Sequence, residues 1–197
     1  MSDDQTLQVY GEKAQDYANF GSKHLNGEGQ LDAFIRALPA GGKALDLGCG
    51  PGAAAAAMAA AGLDAHAWDP VPEMVALAGS YAGVTAEVRS FDMLSGEAEW
   101  DGIWASFSLL HAPRTDMPGH LTDIHRALTP GGRFHVSVKT GAGAARDKLG
   151  RLYTYYSEAE LDALLTAAGF SIIHRVTGAD AGLSGEVSPW VQVDAVA

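Results

Sequence analysis

From residue 30 onward, apolar and polar positions fall into short blocks of two kinds that alternate along the chain. Residues 30–38 place Leu31, Phe34, Ile35 and Leu38 at helical spacing, and Pro39-Ala-Gly-Gly42 ends that helix. Lys43–Leu47 reads as a short strand, Gly48–Gly52 as a Gly-rich turn, and Ala53–Ala61 as a helix closed by Gly62. Then come a strand at Asp64–Trp68, a helix from Pro72 to Gly79, and strands at Thr85–Arg89 and Gly102–Ser106. A helix follows at Asp116–Leu128. Thr129-Pro-Gly-Gly132 marks a turn before the strand Arg133–Lys139. Ser157, with Glu160 three residues on, forms a capping box for a helix over 157–168 that Gly169 closes. Ser171–Val176 and Trp190–Val196 are the last strands, joined by a Gly-rich, hairpin-like loop. Upstream, residues 5–20 predict one short helix with a partial apolar face of Val9, Ala14, Tyr17 and Phe20. Gly21, Asn26, Gly27 and Gly29 break it.

Strands alternating with helices predict an α/β fold: a doubly wound, Rossmann-like sheet, mainly parallel, covered on both faces. Seven strands are counted, and the last two, with no helix between them, predict an antiparallel strand at one edge. Residues 1–197 read as one domain, with 1–29 an N-terminal helix or lid and 30–197 the core. Such sheets bind ligands at the C-terminal ends of their strands, near the point where strand order reverses. That rule singles out residues 46–52, 69, 92 and 106–111.

Composition narrows the partners. The chain has 197 residues, with 24 acidic against 13 basic side chains and a net charge of −11. A pI near 4.9 argues against a nucleic-acid binder and against docking on an anionic membrane face. Cys49 is the only cysteine, so neither an intrachain disulfide nor an all-Cys metal site can form. The His and acidic residues lack metal-ligand spacing, and no metal is expected. The N-terminus carries acids where a signal peptide has Lys or Arg, and no apolar run approaches the ~20 residues of a membrane helix. The expectation is a soluble cytoplasmic protein.

The turn Leu45-Asp46-Leu47-Gly48-Cys49-Gly50-Pro51-Gly52 follows a strand and opens a helix, as nucleotide-binding fingerprints do. Gly48-x-Gly50-x-x-Ala53 also fits a looser dinucleotide pattern, so spacing alone leaves the ligand open. Charge separates the options. Asp46 stands two residues before the first glycine, where a pyrophosphate is unwelcome, and Pro51 removes one N–H from the loop. A cationic, phosphate-free ligand such as S-adenosylmethionine suits the carboxylate. Cys49 reads as a small packing residue of the same loop. Asp69 ends the second strand 17 residues after Gly52, placed either to accept from ribose hydroxyls or to cap a turn with Pro70. Asp92, with Met93 beside it, is placed either to meet an adenine amino group or to make a simple turn.

These segments carry a resemblance. LDLGCGPG (45–52), AWDP (67–70) leading into PEM (72–74), SFDM (90–93), WDGIWASFSLLH (100–111) and LTPGGRFHVSVK (128–139) resemble, in order and spacing, the motifs of class I S-adenosylmethionine-dependent methyltransferases. The similarity covers about residues 30–197. It lies nearest to small stand-alone bacterial enzymes of the quinone-biosynthesis and tellurite-resistance types. The resemblance implies methyl transfer to a small molecule by in-line displacement, leaving S-adenosylhomocysteine. By position it implies cofactor contacts from Asp46, Gly48, Cys49, Gly50, Gly52, Asp69, Pro70, Asp92, Met93, Ser106 and Phe107. Tyr10 and Tyr17 would match the family's aromatic lid. Ser106-Phe107-Ser108 departs from the Asn/Asp-Pro-Pro-Tyr pattern, which puts methylation of DNA-base or glutamine amino groups in doubt.

His111, after the fourth strand, is the candidate general base, since histidine titrates in the useful range; the alternative is a structural loop His. His66, His125 and His135 read as packing or surface residues. Residues 139–156 are the most basic stretch, with Lys139, Arg146, Lys148 and Arg151 among three tyrosines. They read either as a flexible lid, with Arg146 and Arg151 meeting an anionic substrate, or as a solvated loop. Rival readings of the whole chain are a non-catalytic S-adenosylmethionine-binding protein and an NAD(P)-dependent reductase. A monomer or homodimer is expected.

Overall fold

A computed structural model describes residues 3–21 and 28–197. Seven helices and nine strands are found among them: α1 (Asp4–Glu12), α2 (Ala14–Gly21), α3 (Glu28–Ala37), β1 (Lys43–Leu47), α4 (Ala53–Ala60), β2 (Asp64–Asp69), α5 (Pro72–Ala78), β3 (Val84–Val88), β4 (Trp100–Ser106), α6 (Met117–Ala127), β5 (Leu128–Lys139), β6 (Ala144–Arg146), β7 (Leu152–Thr154), α7 (Glu158–Ala167), β8 (Ser171–Ala181) and β9 (Val187–Val196). Seven strands form one sheet in the order β3-β2-β1-β4-β5-β9-β8. β3, β2, β1, β4 and β5 are parallel, and β9 runs antiparallel to both its neighbours. The expected antiparallel element is therefore this hairpin. β9 lies second from the edge because it pairs with β5, leaving β8 outermost.

Alternation along the strands sorts the core into two layers. Leu45 and Leu47 of β1 join α6 and α7 in the larger cluster, with Leu121, Ile124, Leu161 and Leu165. Ala44 faces the other way, toward Leu31, Phe34 and Leu38 of α3 and Met58 of α4. Strand order reverses between β1, the strand that runs into the glycine turn, and its neighbour β4, and this sets the site at their C-terminal ends.

Four local expectations change. The single helix over 5–20 is two helices, broken at Lys13. The break lets Ala14 pack on Val71 and Met74 while Tyr10 and Tyr17 stay together against the same cluster. The breakers Asn26 and Gly27, and the side chain of Phe20, lie outside the described residues. Thr129–Gly132 is not a turn ahead of the strand but a bulge within β5. Trp100 pairs with Leu128 and Gly102 with Arg133, and the looped-out backbone finds partners in Ala197. The last two strands are longer than the hydrophobic pattern suggests, because small and acidic residues interrupt it. Gly178 sits opposite Trp190, and a Cβ there would lie 2.3 Å from the indole. Finally, residues 144–154 are not an open loop: β6 and β7 form a small antiparallel ribbon.

Candidate active site

The glycine turn is a backbone device. A Cβ on Gly48 would meet the Ser108 Cβ at 2.3 Å, and one on Gly52 would meet the Ala78 Cβ at 2.5 Å, so both glycines let chains approach closely. A Cβ on Gly50 would meet nothing, so that side of the turn is open to a ligand. The turn's N–H groups are already spent. Those of Gly48 and Cys49 donate to the Trp68 carbonyl, that of Gly50 donates to Asp69 Oδ2 at 2.9 Å, and that of Gly52 donates to the Cys49 carbonyl. Pro51 has none. A turn with no N–H to offer does not cradle a phosphate.

Two carboxylates lie beneath it. Asp46, 4% exposed, accepts from the Ala55 N–H at 3.2 Å and so caps the first turn of α4. Asp69 accepts from Gly50 and from Val71, each at 2.9 Å, and each of its oxygens keeps a further lone pair. Burial pushes Asp46 up to about 7 and Asp69 up to about 6. Two such carboxylates at one turn favour a cationic ligand. Pro70 follows Asp69, half-buried. Cys49 is buried, its thiol pushed far up by burial, and so is no nucleophile.

After β3, Asp92 lies on a 3₁₀ turn with Met93 half-exposed beside it. Its carboxylate is 3.8 Å from Nε2 of His120 on α6. His120 is 6% exposed, and its Nε2 has no hydrogen-bond partner among the described residues. Sequence reading missed it, because the approach of α6 to this turn is a tertiary fact. Burial pushes its imidazole down, against the pull of Asp92.

At the end of β4, the Ser106 hydroxyl is 3.4 Å from that of Ser137, which donates to Nε2 of His135; His135 Nδ1–H in turn donates to Asp194 at 2.7 Å. His135 is a buried member of this chain and stacks on Trp104, as its packing reading implied. Phe107 adopts φ +51°, a conformation costing a non-glycine residue about 1–3 kcal/mol. Its ring faces the edge of Trp190. Phe107 and Trp190, with Tyr10, Tyr17, Lys139, Arg151, Tyr153, Asp180, Ala181, Gly182, Leu183 and Ser188, line a groove. The β8–β9 tip supplies one wall, α1 and α2 another, and β7 a third.

His111 does not line this groove. Its Nδ1–H donates to the Leu152 carbonyl at 2.7 Å, which fixes Nε2 as the acceptor for the Tyr10 hydroxyl, also at 2.7 Å. Burial pushes His111 down to about 4. Tyr10 meets the groove in front of it. Arg151, 2% exposed, pairs with Asp147 at 2.5 Å among the rings of Tyr10, Tyr17 and Tyr153. Arg146 lies outside the groove lining and pairs with Asp3 at 2.8 Å. The expected free cations of this stretch are thus largely neutralised within the fold.

A model of the methyltransferase domain matches residues 25–175. The chain belongs to this methyltransferase domain family. It is 41% identical over 106 residues to the ubiquinone/menaquinone biosynthesis C-methyltransferase of Rubrivivax gelatinosus, a match covering 51% of this chain and 41% of that one. The chain thus spans about two fifths of that curated relative. Among solved structures, it is similar to 1,6-didemethyltoxoflavin-N1-methyltransferase of Burkholderia thailandensis, solved with 1,6-didemethyltoxoflavin and S-adenosylhomocysteine bound. The TM-score is 0.80 at 24% identity, over 98% of this chain and 87% of that one. It is also similar to a TehB-like S-adenosylmethionine-dependent methyltransferase of Corynebacterium glutamicum, with a TM-score of 0.71 at 19% identity over 94% and 96% of the two chains. The methyltransferase motifs fit their cofactor here: the turn offers no phosphate cradle, opens at Gly50, and sets two buried carboxylates nearby. Tyr10, Tyr17 and residues 180–190 of the groove fall outside the matched span.

Proposed function

We propose that this chain transfers a methyl group from S-adenosylmethionine to a small molecule held in the groove. The observation that carries the proposal is the spent backbone of the glycine turn above two buried carboxylates, with an aromatic groove at the same end of the sheet. When bound, the cofactor supplies a methyl group on a sulfonium, a leaving group that needs no further activation. The protein's task is then orientation and exclusion of water.

Asp46, Gly48, Cys49, Gly50 and Gly52 would surround the amino-acid end of the cofactor, with Asp46 acting through charge. The remaining lone pairs of Asp69 would accept from the ribose hydroxyls, with Pro70 beside the adenosine. Asp92 and Met93, joined by His120, would meet the adenine edge. Ser106 and Phe107 would sit between cofactor and acceptor. Tyr10 is the group that touches the acceptor, and His111 acts on it only through Tyr10, as a positioning residue, because its pKa of about 4 makes it a weak base at neutral pH. Helices α1 and α2 serve as a lid carrying Tyr10 and Tyr17, and residues 30–197 form the core of the single domain. Arg151 shapes the groove as part of a neutral pair. Arg146 ties the ribbon to the N-terminus.

The setting that goes with this reading is the cytoplasm, as monomer or homodimer, without nucleic acid. The net charge of −11 supports it, and no helix among the described residues is long and apolar enough to cross a membrane. Formation of S-adenosylhomocysteine from S-adenosylmethionine, measured across a panel of small acceptors, tests the proposal. Turnover with at least one acceptor is expected. Binding without turnover across the panel would favour a non-catalytic S-adenosylmethionine-binding protein.

A further inference from the structure

Residues 139–156 hold four cations, and three of them are neutralised. Arg146 pairs with Asp3, Lys148 with Glu186 at 3.3 Å, and Arg151 with Asp147. Lys139 differs. It ends β5, lines the groove, and has no carboxylate within ion-pair distance among the described residues. Its Nζ lies 3.9 Å from the centre of the Tyr153 ring, held on an aromatic face that leaves the other side of the ammonium toward the groove. Burial and then Arg151 push its pKa down, while Asp147 and Glu186 pull it up. An ammonium held this way gains from an incoming anion.

The rest of the lining limits the shape of that anion. Phe107, Trp190, Tyr10, Tyr17 and Tyr153 present aromatic surface, suited to a planar ring. Asp180, at the hairpin tip, accepts from Trp190 Nε1 at 2.9 Å and would repel a negative charge. Lys139 and Arg151 are the cations of the lining, and Arg151 is already paired with Asp147, so the charge of a ligand is expected on Lys139. His111 is a poor proton acceptor at neutral pH, and Tyr10 is pushed well above its ordinary range by burial. A site with a weak base and an unpaired ammonium is suited to an acceptor that arrives already ionised.

Resting on the methyl-transfer reading above, we infer that the acceptor is a planar aromatic or heteroaromatic molecule carrying an anionic oxygen, which Lys139 Nζ receives in the groove. The step balances without a base. The lone pair of the ionised acceptor forms the new bond to carbon, the carbon–sulfur bond breaks with its electrons going to sulfur, and one negative and one positive charge cancel. No proton has to leave.

The test uses the full chain saturated with S-adenosylhomocysteine, with 4-nitrophenol and 4-hydroxycoumarin as ionised probes and their methyl ethers as neutral counterparts. Binding is measured at a pH where both probes are ionised. At least one probe is expected to bind about ten- to hundredfold more tightly than its ether. That advantage should be lost in Lys139→Met and largely kept in Lys139→Arg, while S-adenosylhomocysteine affinity stays unchanged in both. The inference is overturned if the ethers bind the wild-type chain as tightly as the ionised probes, or if Lys139→Met keeps the advantage. If Lys139→Met does not fold, the wild-type comparison of probe with ether decides alone. Failure of S-adenosylhomocysteine to bind the wild-type chain would overturn the methyl-transfer reading itself.

Discussion

The two halves of the site stand at the same end of one sheet but are built in opposite ways. The cofactor half is local. Gly48 to Gly52 is a single turn, Asp46 lies two residues before it, and Asp69 is on the adjacent strand and bonded to the turn itself. Its geometry is set by backbone, and its sequence motif is correspondingly compact. The acceptor half is assembled from side chains of α1, α2, β5, β7, β9 and the β8–β9 tip, up to 180 positions apart in the chain. Eight of its twelve lining residues lie outside the span that the methyltransferase domain model matches. The cofactor half lies wholly inside that span, and most of the acceptor half does not.

Perturbing each half should break it differently. The largest effect is expected from Gly52→Val, which drives a branched side chain into Ala78 at φ +88°. Overpacking together with left-handed strain should cost about 3 kcal/mol or more of stability, seen as a lower Tm, and S-adenosylmethionine binding should go with it. Asp69→Ala should weaken S-adenosylmethionine binding by about 1–3 kcal/mol, read by calorimetry, with the fold retained. Unchanged affinity would remove the ribose assignment.

The same carboxylates predict a pH dependence. Their folded pKa values are raised above the unfolded ones, so without ligand their stabilising contribution is present at low pH and is lost as pH rises through about 6 to 7. A cationic ligand binds the ionised forms. The thermal shift produced by S-adenosylmethionine should therefore grow between pH 5 and pH 8.

Changes in the acceptor half should leave cofactor binding alone. Tyr10→Phe removes the hydroxyl shared with His111 and should lower turnover about tenfold, with S-adenosylhomocysteine affinity unchanged. Full activity would move the acceptor contact elsewhere. The smallest effect is expected at Arg146→Ala. This partly exposed pair with Asp3 should contribute about 0.5 kcal/mol or less to stability and nothing to acceptor binding, in contrast to Lys139.

How much of this was legible follows the same division. β1 matches its expected bounds, and the glycine turn, Asp46 and Asp69 stand where the motif puts them. The pattern was readable because close packing and tight turning demand particular residues at fixed spacing. The acceptor half was not. The hairpin's outer strands are hidden by Gly178 and Asp180, residues chosen by what Trp190 touches. The pairing of Arg146 and Arg151 with acids, and the placement of His111 behind Tyr10, depend on contacts between distant segments that no local period records. Tyr10 and Tyr17 were singled out as lid residues on resemblance alone. Lys139 and Tyr153 were seen only as members of a basic, tyrosine-rich stretch.

The most direct test of the central claim is a thermal-shift titration of the full chain with S-adenosylmethionine, S-adenosylhomocysteine and NAD(P)H. A glycine turn with no N–H left for phosphate, above two buried carboxylates, predicts stabilisation by the first two and none by NAD(P)H. Stabilisation by NAD(P)H without any by S-adenosylmethionine would contradict it.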